Sequence, residues 1–97
     1  MFSWDTVKAA AANLEKHRIS FEEAATVFSD AEGLDWEDLE HFTRETRYKR
    51  LGRSISRRIL IVVYTVRRLK DGKETIRIIS ARHASRKERK AYSGQSD

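Results

Sequence analysis

The chain is predicted to fold as an α+β domain: two N-terminal helices packed on a three- to four-stranded antiparallel sheet, followed by a short C-terminal helix. Three observations predict it. Apolar residues recur at helical spacing up to about residue 28 and at strand-like spacing between residues 44 and 81. A capping box, Ser followed three residues later by Glu, opens a helix near each end, at Ser20 with Glu23 and at Ser85 with Glu88. Asp71-Gly72 lies between two β-branched stretches and marks a tight hairpin. Ninety-seven residues suffice for one core, so residues 1–97 are read as a single domain.

The first helix is expected over residues 6–16, with Asp5 as its N-cap and Val7, Ala10, Ala11 and Leu14 as a narrow apolar face. Phe2 and Trp4 precede it and are too large to stay in water, so one or both should pack under the fold. The second helix starts at Ser20, with Ile19 and Ala24 as a hydrophobic staple and Phe21, Ala24, Ala25 and Phe28 as its stripe. Asp30 and Gly33 end it. Leu34, Trp36 and Leu39 suggest a short edge strand, and residues 44–51 alternate as another. Residues 58–67 are apolar on both faces, which predicts the central strand. After the hairpin, residues 74–81 return beside it. The last helix runs to about Tyr92, and residues 93–97 are expected to fray. The helix pair covers one sheet face. The other face has too little chain to cover it and is the natural binding surface.

Composition narrows the chemistry. Cysteine is absent, which excludes disulfides, thiolate ligands and a cysteine nucleophile, and fits a reducing cytoplasm. No apolar run approaches a membrane span, and no signal peptide is visible. His17, His41 and His83 are far apart in sequence, and no metal-binding or Gly-rich phosphate motif occurs, so neither a metal nor a cofactor is expected. The charge is divided along the chain. Residues 1–45 hold 4 basic and 11 acidic side chains, whereas residues 46–97 hold 16 basic and 4 acidic ones. Thirteen of the twenty cations are Arg, whose planar fork suits phosphate. A polyanion is therefore the expected partner, against the plainer reading of a salt-laced surface.

Lys, His and Arg side chains suffice for RNA cleavage by attack of a ribose 2′-hydroxyl on the adjacent phosphorus, which needs proton transfer and cations facing the phosphate. Lys16 and His17 end the first helix, Arg44 and Arg47 flank a strand, Arg58 and Arg67 bracket the central one, and Arg77, Arg82 and Arg86 follow. Each has a plainer role available: Lys16 complements the helix dipole, Arg58 pairs with the acidic half, and Arg67 sits beside Arg68 at a strand end. Arg82 closes Ile78-Ile79-Ser80-Ala81, where an isolated Arg is least expected as mere surface. Arg82→Ala is expected to cost more activity than stability.

Several segments carry a family resemblance. They are Phe2-Ser3-Trp4-Asp5, Asn13-Leu14-Glu15-Lys16-His17, Ile19-Ser20-Phe21-Glu22-Glu23-Ala24 with Val27-Phe28, then Arg47-Tyr48 and Leu51-Gly52. Leu60-Ile61-Val62-Val63-Tyr64-Thr65 follows, and Ile76-Arg77-Ile78-Ile79-Ser80-Ala81-Arg82 is the most specific, ahead of Ala84, Glu88-Arg89 and Tyr92. In order and spacing they resemble the BrnT ribonuclease toxins, the toxin half of bacterial type II toxin–antitoxin pairs. The resemblance implies a RelE-like fold and a metal-independent ribonuclease that halts translation. It implies neutralisation by a BrnA-type antitoxin with a DNA-binding domain, operator DNA being bound only through the complex. It also implies a basic active site, placed at Lys16, His17, Arg47, Arg67 and Arg82. Two positions depart from the family pattern. Arg18 stands where Gly is frequent, at a turn where Gly would allow positive φ, and His83 stands where Lys is frequent. The alternatives are a non-enzymatic nucleic-acid-binding module and a structural protein engaging an acidic partner.

Overall fold

The computed structural model describes residues 1–4, 6–40 and 45–94. The elements are β1 (Phe2–Trp4), α1 (Val7–His17), α2 (Phe21–Ala25) continued by a 3-10 turn (Thr26–Ser29), β2 (Leu34–Glu37), β3 (Tyr48–Arg53), β4 (Ile59–Arg68), β5 (Glu74–His83) and α3 (Arg86–Gly94). Asp5, Arg44 and residues 95–97 of the expected cap, strand and tail lie outside the described residues. Ser93 and Gly94, expected to fray, belong to α3.

The sheet has five strands in the order β1-β5-β4-β3-β2. This corrects the expected three- to four-stranded antiparallel sheet. Strands β2 to β5 are antiparallel neighbours, but β1 adds a parallel edge to β5, with Phe2 opposite Ile76 and Trp4 opposite Ile78. Three residues are too few to show a strand period in sequence. Their aromatic rings hold them in place: Phe2 packs on Phe28 at 5.3 Å and Trp4 edge-on to Phe21 at 5.8 Å between centroids.

The helices start on side-chain caps. Thr6, the residue after the expected Asp5, accepts from the Ala9 amide at 2.9 Å, and Ser20 accepts from the Glu23 amide at 3.0 Å. Of the expected apolar face of α1 only Ala10 turns inward, since Val7 is 83% exposed, Leu14 49%, and Ala11 is exposed as well. The helix instead turns Ala9, Ala10 and buried Asn13 inward. Asn13 Nδ2 donates to the Ile19 carbonyl at 2.9 Å, and its Oδ1 accepts from the Ala81 amide at 3.0 Å. Ala81 lies past the end of β1, so Asn13 takes the place a neighbouring strand would fill along that edge of β5. The principal core, with Ile19, Phe21, Ala24, Val27, Leu60, Val62, Ile78 and Ala81, fills the space between the helices and the sheet. On the opposite face Tyr92 and Ala84 pack with Leu51 and Ile61, so α3 and the residues before it cover one end of that face.

Arg18 ends α1 with φ 60 and ψ 32, the left-handed conformation that a side chain disfavours by about 1 kcal/mol. Arg18→Gly is therefore expected to raise stability by about 0.5–1 kcal/mol, read as a higher urea midpoint at unchanged slope. A fall in that midpoint would show that the Arg18 side chain contributes more than its backbone costs.

Candidate active site on the open sheet face

The alternation of β4 sends Leu60, Val62 and Tyr64 under the helices and Ile61, Val63, Thr65 and Arg67 to the other face. Strand β5 would lose this order, because Ile76, Ile78 and Ile79 do not alternate. A bulge restores it: Val63 pairs with Ser80 and Tyr64 with Ile78, leaving Ile79 as the extra residue. Ile78 and Ala81 can then both face the helices, while Arg77, Ser80 and Arg82 share the open face. His83, opposite Leu60, falls on the helix side, so the His-for-Lys departure lies away from this face.

On that face a cavity of about 230 Å³ is lined by His17, Asp38, Arg47, Lys49, Ile61, Val63, Ser80 and Arg82. His17 reaches it because Asn13, one turn earlier, holds the end of α1 against the β5 edge. Arg47 reaches it from the segment just before β3, where its carbonyl accepts from the Asp38 amide at 2.8 Å. Three of the five residues placed from the resemblance thus meet: His17, Arg47 and Arg82. Two do not line the cavity. Lys16 is exposed on the last turn of α1. Arg67 is on the same face but four residues beyond Val63, roughly 13 Å further along the strand at ~3.3 Å per residue. Lys49, Asp38 and Ser80 complete the lining. Lys49 could have been found in sequence as the residue two after Arg47 on an alternating strand. Asp38 sits in a run of acids with no distinguishing signal.

The cations differ in what already holds them. Arg82 donates from Nη1 to Glu88 Oε1 at 2.7 Å and from Nη2 to Oε2 at 2.9 Å, so the fork expected to grip a phosphate is engaged by a carboxylate. Glu88 also accepts from the Ser85 amide at 2.7 Å, closing the capping box of α3. Arg82 therefore ties α3 to the sheet, and Arg82→Ala is expected to cost stability as well as activity. Arg67 and Arg77 both donate to Glu45, whose carboxyl the Arg67 hydrogen bond holds below the usual range. Arg58 pairs with Glu23 and Arg50 with Asp35. His17, Arg47 and Lys49 have no side-chain hydrogen bond to a described residue, although the Arg47 charge also acts on Glu45. Among the described residues no group of three or more His, Asp and Glu is placed to hold a metal ion. No helix of the described residues is long and apolar enough to cross a membrane.

The Arg82 guanidinium, more than the surrounding amides, lowers the Glu88 carboxyl to about 2. A carboxyl depressed in the folded state stabilises fully above its unfolded value, and that contribution is lost as pH falls from about 4.5 through about 2. Water screens the pair, since the Arg82 side chain is 41% exposed, so about 1 kcal/mol is at stake. Urea midpoints at pH 7, 4.5 and 2.5 should fall more steeply for wild type than for Glu88→Gln. Parallel profiles would show that the pair adds nothing to stability.

The arrangement is an α+β domain with a small cationic cavity on the uncovered face of its sheet. Residues 4–88 match the family described as "Ribonuclease toxin, BrnT, of type II toxin-antitoxin system", and the chain belongs to that family. Membership brings with it a ribonuclease-toxin function in general terms and a cognate antitoxin as partner. The crystal structure of the Brucella abortus ribonuclease toxin, BrnT, is similar in fold, with a TM-score of 0.62 and 21% identity over 89% of this chain and 99% of that one. No curated protein is a significant match to the chain.

Proposed function

We propose that the chain cleaves RNA at the cavity on the open sheet face, by attack of a ribose 2′-hydroxyl on the adjacent phosphorus. The observation that carries this is the convergence of His17, Arg47, Lys49 and Arg82, from three segments of the chain, on one cavity. The 2′-oxygen–phosphorus bond forms and the bond from phosphorus to the leaving 5′-oxygen breaks. One proton leaves the 2′-hydroxyl and one reaches the 5′-oxygen, giving a 2′,3′-cyclic phosphate and a 5′-hydroxyl end. His17 is the group suited to proton transfer. Arg47 and Lys49, whose side chains make no hydrogen bond to a described residue, meet the charge that grows on the non-bridging oxygens. Lys16 and Arg67 are assigned to substrate contact outside the cavity. The helix pair on one face and the open opposite face agree with a RelE-like scaffold. RNA cleavage of this kind halts translation.

In this reading a BrnA-type antitoxin with a DNA-binding domain covers the cavity with acidic and apolar side chains, and the complex represses its own operon. Raising ionic strength should slow their association while the apolar contacts keep the complex together. The decisive experiment incubates antitoxin-free protein with total RNA in excess EDTA. Cleavage leaving cyclic phosphate ends is expected, and intact RNA at high protein concentration would reject the reading. Binding that is strongly salt-dependent without cleavage would instead support a non-enzymatic module.

A further inference from the structure

We infer that Trp36 is a stacking platform for an unpaired RNA base next to the phosphate held in the cavity. The inference rests on the proposed RNA substrate and adds a residue that sets which RNA is accepted. Trp36 is on β2, an edge strand, and pairs in register with Lys49, which lines the cavity. Directly opposed residues on neighbouring strands place their side chains side by side on one face. The flanking contacts fix which face that is. Leu34, two residues earlier, packs with Leu51 and Ile61 on the open side, whereas Asp35 bonds Tyr64 and Arg50 on the helix side. Trp36 thus stands on the open face beside Lys49.

An indole in that position is unusual for a core residue. Trp36 is 41% exposed, and its ring has no aromatic partner among the described residues, whereas Trp4 packs edge-on against Phe21 on the opposite face. The cavity itself is small and partly open to solvent. At about 230 Å³ it lies below the range of roughly 300–1,000 Å³ that takes a drug-sized ligand. A phosphate with its ribose takes up most of such a volume, and the attached base extends onto the surface that adjoins. Toward β2 that surface begins with an exposed aromatic ring next to a cation, the pairing by which proteins hold single-stranded nucleic acid. A base within a duplex has no free face to offer, so the platform selects unpaired RNA.

The test uses a single-stranded 2′-deoxy octanucleotide of mixed sequence, uncleavable because it lacks the attacking hydroxyl, and an abasic octamer with the same phosphates. Wild type should bind the base-bearing octamer roughly 5- to 150-fold more tightly, the span of base–aromatic stacking, with a change in tryptophan fluorescence. Trp36→Ala should erase most of that ratio while still binding the abasic octamer as wild type does. Trp36→Phe should keep most of it and lose the fluorescence change. A wild-type ratio in Trp36→Ala would overturn the inference, and so would weakening confined to antitoxin binding. The two readings fail separately. Base-dependent binding through Trp36 without cleavage of ordinary RNA would sink the ribonuclease reading alone, and cleavage with an unchanged ratio in Trp36→Ala would sink the platform alone.

Discussion

Replacing Arg47 with alanine is expected to slow single-turnover RNA cleavage roughly 10²- to 10³-fold, the loss that follows removal of one preorganised oxyanion donor. The same change should barely move the unfolding midpoint. Arg47 lines the cavity, and its side chain bonds no described residue, while its carbonyl contact with the Asp38 amide survives truncation. Arg47→Lys should restore only part of the rate, because an ammonium is a point charge where the guanidinium is a planar fork. The contrast with Arg82 makes the experiment sharp. Arg82→Ala removes a bidentate partner of Glu88 and loosens α3, so it should lower both rate and midpoint. If folded Arg47→Ala cleaves at the wild-type rate, Arg47 does not meet the reacting phosphate, and Lys49 becomes the cation to test.

Asn13→Ala is expected to destabilise the fold by about 2–4 kcal/mol. Two buried backbone groups lose their partner at once, the Ala81 amide and the Ile19 carbonyl, and each unsatisfied group costs about 1–3 kcal/mol. Against a typical total of about 5–15 kcal/mol this is a large fraction. For a chain of this size it should lower the melting midpoint by about 10–25 °C. Leu14→Ala, the neighbouring change on an exposed position, should alter stability little. The substitution should also slow cleavage before it unfolds the protein, because Asn13 fixes the helix end that carries His17 into the cavity. A midpoint within 1 °C of wild type would mean that water replaces both bonds.

Asn13 also shows how the sequence can mislead. Read by periodicity, α1 offers Val7, Ala10, Ala11 and Leu14 as its inner face, since only apolar residues register in such a pattern. The helix does not pack flat on the sheet alone. It lies where β1 leaves the edge of β5 open, and an edge amide calls for a hydrogen-bonding side chain. The inward residue is therefore Asn, with small alanines beside it. Likewise, β1 escaped notice because three residues carry no period, and its parallel pairing joins segments more than 70 residues apart.

Local chemistry was sufficient for the rest of the outline. The Ser20 and Ser85 caps, the hairpin at Asp71-Gly72 and the apolar central strand each depend on residues close in sequence, so they were legible without a structure. So was the family, through the order of its motifs. The arrangement of charge was not. Read along the chain, an acidic half precedes a basic half; in the fold the two interleave, as Glu23 takes Arg58, Asp35 takes Arg50 and Glu45 takes Arg67 and Arg77. Ion pairing acts through space over a few ångströms, and these partners are 15 to 35 residues apart. The sequence by itself determined that the protein is Arg-rich, from which a polyanion partner is expected. Only the tertiary structure decided which cations already have a carboxylate and which, at the cavity, have no side-chain hydrogen bond to a described residue, because a bulge and an edge contact set which side chains share a face.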